Sequence, residues 1–203
     1  MFGMTNDTSG TNALELLKHD HREVDKLFSQ YEDIKDGAED PAKEELVSQI
    51  CDALTVHAQI EETIFYPAAR RALSQEEGQD LLNEAAVEHQ TLKDIIARLE
   101  AAPTSDPLYD AGVKVLSEYT KHHVREEENE LFPKVRSSGM DLQAIGQQLA
   151  ERKQQLEGRM SRSSQGNGSR GRKTSGSEAS QSSQRSSREQ GQRESEQGSR
   201  NTH

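Results

Sequence analysis

The chain has 203 residues, enough for one ordinary domain and an appendage, and it carries a formal net charge of −11 at pH 7. The charge is unevenly divided: residues 158–203 hold nine Lys and Arg against four Asp and Glu (+5), which leaves 16 basic and 32 acidic residues (−16) in residues 1–157. So acidic a domain disfavours non-specific binding to nucleic acid. We expect no specific nucleic-acid partner, and any attraction to RNA, DNA or anionic lipid would have to come from the tail.

Signals for membrane insertion and secretion are missing from the sequence. It contains no run of 18 apolar residues, and the first residues, MFGMTNDTSGTN, lack the basic and apolar regions of a signal peptide. We therefore expect no membrane partner and a cytoplasmic location. Cys51 is the single cysteine, which excludes an internal disulfide, and we expect it to be a small packed side chain.

Composition divides the chain into four segments. Residues 1–11 form a polar lead and residues 158–203 a Ser-, Arg-, Gly- and Gln-rich tail, and both are expected to be disordered because they hold too few apolar side chains to form a core. Residues 12–136 are predicted to form the domain, and residues 137–157 an additional amphipathic helix. The sequence leaves the oligomeric state open.

Within the domain, apolar residues recur at steps of three and four, which predicts four helices that each bury one face. The first begins after Asn12, a plausible N-cap. The buried positions are Leu14, Leu17, Val24, Phe28 and Tyr31; Leu46, Ile50, Leu54 and Ile64; Leu82, Ala85, Leu92, Ile96 and Leu99; and Val113, Leu116, Thr120 and Leu131. No stretch alternates with the period of a strand. The predicted fold is all-α, an antiparallel up-down-up-down four-helix bundle with a short extra C-terminal helix and a disordered tail.

Two helices repeat one motif. His57 is followed by Glu61 and Pro67, and His123 by Glu127 and Pro133, at the same offsets. Residues four apart lie on the same face of a helix, so each motif directs an imidazole and a carboxylate to one point. His21 and His89 occupy buried positions in the other two helices.

The four histidines are predicted to lie at one depth in the bundle. Residues of an antiparallel hairpin share a level when their midpoint falls in the connecting loop, and the successive midpoints are residues 39, 73 and 106, all in predicted turns. Two buried carboxylates nearby would be costly unless a cation compensates them. A dinuclear metal site formed by His21, His57, Glu61, His89, His123 and Glu127 resolves this. Imidazole with carboxylate suits iron, manganese or zinc, and the lack of thiolates disfavours a structural zinc site or an iron–sulfur cluster.

A simpler interpretation applies to single residues. A lone buried histidine is more often held by hydrogen bonds than by metal, and a run such as Glu126–Glu128 is usually a solvated helix face. This simpler interpretation does not account for four buried histidines at one level together with two glutamates. We expect His19 and His122 to be exposed, Tyr119 to be packed, and Glu62 and Glu126 to be at most indirect contributors.

Four motifs follow one another in residues 12–136: Asp20-His21, His57-x3-Glu61 before Tyr66-Pro67, Glu88-His89, and His123-x3-Glu127 before Phe132-Pro133. This order resembles the hemerythrin-like, or HHE, cation-binding family. The resemblance implies a bundle around a non-haem, oxo- or hydroxo-bridged di-iron centre. It also implies that the four histidines are terminal ligands and that Glu61 and Glu127 are bridging carboxylates.

The sequence departs from the oxygen-carrying members of that family at two positions. Lys93 stands where they have a fifth histidine, and the helix-four carboxylate, Glu127, follows its histidine by four residues instead of five. A more carboxylate-rich site disfavours reversible oxygen carriage. We expect Lys93 to extend outward, the alternative being that its ammonium stabilises a bound peroxide.

Three functions are compatible with these features. The first is a di-iron module that binds or senses dioxygen, nitric oxide or peroxide, in oxidative or nitrosative stress or an iron response. The second is a di-iron enzyme that decomposes peroxide or oxidises ferrous iron. The third is a stress or interaction protein that acts through its tail, for which an unstructured solubilising extension is the simpler interpretation.

Overall fold

A computed structural model describes residues 12–37, 40–73 and 75–167 of the chain. The predicted disordered lead, residues 1–11, and the tail beyond residue 167 lie outside the described residues. The described residues form helices and turns and contain no strand, which confirms the all-α prediction. None of their helices is long and apolar enough to cross a membrane.

Four helical rods form the bundle, and two of them are interrupted by a five-residue π-helical segment. In chain order the elements are α1 (Ala13–Ile34), α2 (Asp40–Ile60), a π segment (Glu61–Phe65), α3 (Tyr66–Ala72), α4 (Glu76–Ala101), α5 (Tyr109–Glu126), a second π segment (Glu127–Leu131), α6 (Phe132–Ser137) and α7 (Leu142–Asn167). Helix α1 packs on α2 and α5, and α4 packs on α2 and α5, which is the cyclic order of an up-down-up-down bundle. The first helix begins as predicted, with the Asn12 side chain accepting a hydrogen bond from the Glu15 amide.

The π segments begin at Glu61 and Glu127, the glutamates of the repeated motif. In each segment the closing hydrogen bond spans five residues: the Tyr66 amide donates to the Glu61 carbonyl, and the Phe132 amide to the Glu127 carbonyl. In both rods a proline is the second residue after the segment, and its missing amide and its ring disturb the ordinary four-residue hydrogen bond. The wider turn accommodates the proline and allows the rod to continue.

The fifth helix is longer than predicted. It continues to Asn167, ten residues past the expected end at residue 157. The reason is that its apolar face continues: Leu149 and Leu156 are buried, and Met160, one turn beyond Leu156, packs against the same cluster. This helix lies against α1 and α2.

The core consists of two apolar clusters with a polar layer between them. One cluster surrounds Leu17, Phe65 and Phe132 at the end of the bundle that α7 covers. The other surrounds Phe28, Ile50 and Leu116 at the opposite end. All six residues predicted to bind metal lie in the layer between the clusters, and each is at most 6% exposed.

Candidate metal centre

The four histidines meet in two pairs at the level that the loop midpoints predict. The Nε2 atoms of His21 and His57 are 3.1 Å apart, and those of His89 and His123 are also 3.1 Å apart. Each pair joins neighbouring antiparallel helices, α1 with α2 and α4 with α5. The structure therefore places four imidazole nitrogens in the middle of the core.

The two predicted glutamates lie beside these pairs. Glu61 Oε2 is 3.2 Å from His57 Nε2 and 3.4 Å from His89 Nε2, whereas Glu127 Oε2 is 3.4 Å from His21 Nε2. Ligand atoms lie within 4.8 Å of one another in two groups that share Glu61, namely His21, His57, Glu61 and Glu127, and Glu61, His89 and His123. The arrangement offers two adjacent sets of donors joined by one carboxylate.

The outer nitrogen of each imidazole faces a carboxylate. Three of the Nδ1–carboxylate distances are short: 2.8 Å from His21 to Glu128, 3.0 Å from His89 to Glu62 and 2.8 Å from His123 to Glu88. The fourth, from His57 Nδ1 to Asp20 Oδ2, is 3.6 Å. An imidazole that donates through Nδ1 presents the lone pair of Nε2 inward, which is the tautomer that a metal ligand needs.

A basic side chain pairs with each of these carboxylates. Lys153 lies 2.6 Å from Asp20, Lys93 2.6 Å from Glu62, Lys18 3.6 Å from Glu128 and His122 3.4 Å from Glu88. Lys93, whose side chain is 42% exposed, thus directs its ammonium to the outer side of His89 and holds the glutamate that orients this imidazole. The sequence suggested an indirect role only for Glu62, because the other carboxylates resemble ordinary solvated residues in the sequence.

Tyr66 is a central residue whose role sequence reasoning missed. Its hydroxyl donates to Glu127 Oε1 at 2.8 Å and lies 3.3 Å from His89 Nε2. It is 5% exposed. The available signal was the repeat itself: Tyr66 corresponds to Phe132, so only one of the two motifs carries a hydroxyl at this position.

Four buried polar atoms lack a hydrogen-bond partner among the described residues, and all belong to this region: Asp20 Oδ2, His57 Nδ1, Glu61 Oε1 and Glu127 Oε2. Two of them are oxygens of the glutamates that lie between the imidazoles. An unpaired buried carboxylate oxygen is costly, and coordination to a cation removes that cost. The residues present therefore fit a metal ion of the kind that nitrogen and oxygen ligands bind.

The sequence model of the hemerythrin HHE cation binding domain matches residues 12–135. The chain belongs to this family. A crystal structure of a hemerythrin HHE cation binding domain-containing protein from Mycobacterium kansasii is similar, with a TM-score of 0.60 and 25% identity over 73% of this chain and 88% of that one. A DNA nickase from Nostoc sp. (strain PCC 7120 / SAG 25.82 / UTEX 2576) is 29% identical over 133 residues, or 65% of this chain, which spans 36% of that relative's length.

The two glutamates of this HHE domain differ in their electrostatics. Burial raises the pKa of Glu61 well above its ordinary range, and the negative charge of Glu127 raises it further. Burial acts on Glu127 in the same direction, but the positive charges of His123 and His21 outweigh it and lower the pKa of Glu127. Two carboxylates at close range cannot both hold full charge at low cost, so the pair separates into an acid and a base.

Histidines of the first pair differ in the same way. Burial lowers the pKa of His57 to about 4, so its imidazole is neutral at pH 7. Burial also acts on His21, but hydrogen bonds to Glu127 and Glu128 outweigh it and raise the pKa to about 10. A metal ion that binds His21 must therefore displace a proton, because only neutral imidazole is a ligand.

Several polar or aromatic residues beside the centre carried predictions of their own, and Tyr119 departs from its prediction. His19 and His122 have side chains 61% and 46% exposed, as expected. Glu126 lies 3.1 Å from His122 and, with Glu88, forms a further histidine–carboxylate group at the surface. Tyr119 was expected to be packed, which is wrong: it is 46% exposed, because its position on α5 turns it outward beside the buried Thr120.

Proposed function

We propose that this HHE domain holds two iron ions and binds or senses dioxygen, nitric oxide or peroxide in the cytoplasm, in oxidative or nitrosative stress or an iron response. The observation that carries the proposal is the pair of donor groups joined by Glu61. One ion would be held by His21, His57 and Glu127 and the other by His89 and His123, with Glu61 common to both. Manganese or zinc is the alternative occupant.

The side chains around the donors would prepare the site for an ion. Bound iron would supply redox-active positions at which a small ligand exchanges electrons. The short Nδ1–carboxylate contacts of His21, His89 and His123 hold these imidazoles in one orientation. Tyr66 donates to one oxygen of Glu127, which leaves the other oxygen directed at the imidazoles. The apolar clusters on both sides keep water away from the donors.

A cavity next to the imidazoles supports a small ligand. It has a volume of about 20 Å³ and lies between the histidines and the apolar side chains of Val24, Leu54, Leu92 and Ile96. A volume of that size holds about one water molecule. Dioxygen, nitric oxide and hydrogen peroxide are of comparable size, whereas an organic substrate would not fit without displacement of core side chains.

The decisive experiment measures metal content per chain, together with the visible spectrum before and after anaerobic reduction, on protein purified without an affinity tag. Two irons per chain, with charge-transfer bands that bleach on reduction, are expected. Glu127→Ala should lose iron, whereas Glu118→Ala, an exposed glutamate on α5, should keep it. Zinc in place of iron, or full iron content in Glu127→Ala, would contradict the proposal.

An enzymatic version of the same site is the second candidate. It is favoured by Tyr66, whose buried hydroxyl could deliver a proton to a ligand beside His89 and Glu127. The test is turnover: decay of hydrogen peroxide and oxidation of excess ferrous iron, measured per chain for the wild type and Tyr66→Phe. Many turnovers that fall in the variant would support an enzyme, and a single turnover would support a sensor or carrier.

DNA nicking, the activity named for the Nostoc relative, is not extended to this chain. The matched region covers 36% of that protein, so most of the relative lies outside the match. Residues 1–157 carry a formal charge of −16, from 16 basic and 32 acidic residues, which repels a phosphate backbone.

A further inference from the structure

Helix α7 lies beyond residue 135, where the family match ends, yet it contacts the metal centre through one side chain. Lys153 follows Leu149 by four residues and precedes Leu156 by three, so all three share the face that packs on α1 and α2. The Lys153 ammonium lies 2.6 Å from Asp20 Oδ1. Its side chain is 29% exposed, and Asp20 is 6% exposed.

Asp20 connects that ammonium to a histidine of the centre. Its Oδ1 accepts from Lys153, and its Oδ2 faces His57 Nδ1 at 3.6 Å. Neither Oδ2 nor Nδ1 has a hydrogen-bond partner among the described residues. Among the described residues Asp20 is the carboxylate that faces His57 Nδ1, and its nearest basic partner is Lys153 at 2.6 Å, with the exposed His19 at 3.7 Å.

The carboxylates that face the other three imidazoles lie within 3.0 Å of Nδ1 and pair with basic side chains of the bundle, Lys18, Lys93 and His122. Asp20, 3.6 Å from His57 Nδ1, instead pairs with Lys153 of α7. A cleft of about 440 Å³ between α1, α2 and α7, lined by Asp20, Glu23 and Asp52 among others, reaches this ion pair. Water in the cleft can compete for Asp20 as soon as Lys153 withdraws.

We infer that Lys153 is a positioning residue for the metal centre: by fixing the carboxylate of Asp20 it sets the orientation of the His57 imidazole, so that α7 controls how firmly the centre retains its ions. The inference rests on the proposed function, because it requires His57 to be a metal ligand. It adds a dependence on an element that lies outside the matched HHE domain.

The rate of iron release tests the inference. The full-length chain is reconstituted anaerobically with ferrous iron and mixed with an excess of a ferrous chelator, and the absorbance of the chelate is followed. Lys153→Met, which keeps the apolar stem and removes the charge, should release iron about 10-fold faster, the lower end of the effect of altering a group that orients a ligand. Lys153→Arg should be close to wild type. Lys134→Met, which breaks the ion pair with Glu77 at 2.8 Å, is the matched control and should have no effect.

A double-mutant cycle separates positioning from packing. Asp20→Asn alone should also speed release, and Lys153→Met should add nothing further in the Asp20→Asn background. An additive effect, unchanged release in either single variant, or equal acceleration in Lys134→Met would overturn the inference while the metal centre stands. A wild-type chain that takes up no iron would overturn the proposed function itself, so the two failures are distinguishable.

Discussion

The two halves of the metal centre correspond residue by residue, and their differences show which residues distinguish the two donor groups. Adding 66 to His57, Glu61 and Glu62 gives His123, Glu127 and Glu128, and adding 68 to Asp20 and His21 gives Glu88 and His89. Corresponding residues have corresponding contacts: Glu62 pairs with the Nδ1 of His89, and Glu128 with the Nδ1 of His21. The half-sites therefore share one plan for the ligands and for the carboxylates that orient them.

Two positions break the correspondence. Tyr66 has a hydroxyl that donates to Glu127, whereas its counterpart Phe132 stacks beside His21 with ring centroids 6.0 Å apart and offers no donor. Glu88 reaches His123 at 2.8 Å, whereas Asp20, one methylene shorter, stops 3.6 Å from His57. The shared arrangement of ligands would account for the binding of two ions. The differences between Tyr66 and Phe132 and between Glu88 and Asp20 make the surroundings of the two ions unequal.

The largest expected effect comes from removing a ligand in either half. His57→Ala and His123→Ala should each weaken metal binding by more than about 100-fold, because changes to residues that only orient ligands already cost about 10–100-fold. Metal affinity is measured by competition with a chelator, and Lys114→Ala, an exposed side chain on α5, is the control. Retention of both ions in either variant would mean that the half-site concerned does not bind metal.

Exchanging the tyrosine and the phenylalanine tests the first break. Tyr66→Phe leaves Glu127 Oε1 without its donor, and a buried acceptor without a partner costs about 1–3 kcal/mol. We expect that loss in the free energy of unfolding of metal-free protein, measured by urea denaturation, with exposed Tyr119→Phe as the control. Adding Phe132→Tyr should recover part of it, since the new hydroxyl would lie near Glu61. No recovery would show that the halves correspond in sequence but not in space.

Shortening one carboxylate tests the second break. Glu88→Asp gives the half-site that contains His123 the same short side chain as Asp20 in the other half-site. The contact with His123 Nδ1 should therefore lengthen, and metal affinity should fall by up to about 10-fold. Glu84→Asp, one turn earlier on the same helix and exposed, should change nothing. If affinity is unchanged in Glu88→Asp, the distance from carboxylate to imidazole is not what distinguishes the halves.

The ligands and the fold were accessible to sequence reasoning, whereas the environment of the ligands was not. Steps of three and four residues fix which face of a helix is buried, and loop midpoints fix the level, so His21, His57, His89 and His123 could be assigned to one layer. The π segment changes the register by one residue, which that periodicity does not detect. Ile64 was therefore predicted on the buried face, whereas the fully buried residue is Phe65.

The partners of the ligands were missed for a different reason. Glu88 and Glu128 have the sequence appearance of solvated residues, and only the packing of a neighbouring helix brings an imidazole within 2.8 Å of each. Likewise, Lys153 gains its role from a contact with Asp20, 133 residues away in sequence. Local patterns carry no information about such contacts. The end of α7 was misplaced because its composition changes at Gly158, before its apolar face ends at Met160.

The smallest expected effect concerns Asp110, whose contact with Tyr31 resembles the Tyr66–Glu127 contact but lies at the end of the bundle that α7 does not cover. There Asp110 accepts a hydrogen bond from the Tyr31 hydroxyl and lies 2.6 Å from the Lys43 ammonium, so a carboxylate again lies between a hydroxyl and a cation. The Asp110 side chain is 49% exposed, in contrast to 2% for Glu127. Burial raises the pKa of Asp110, but the contacts with Lys43 and Tyr31 together outweigh it and lower the pKa below its ordinary value.

A lowered carboxyl pKa stabilises the folded chain at pH values above the unfolded pKa of about 3.9, and the stabilisation is lost as the pH falls through the lower folded value. Because solvent screens this pair, Asp110→Asn should cost less than about 1 kcal/mol at pH 7. The difference in the free energy of unfolding between wild type and variant, measured by urea denaturation, should shrink as the pH falls from about 5 to about 3. This range spans the ordinary carboxyl pKa. A cost at pH 7 as large as that of Tyr66→Phe would mean that burial is not what makes the contact at the metal centre strong.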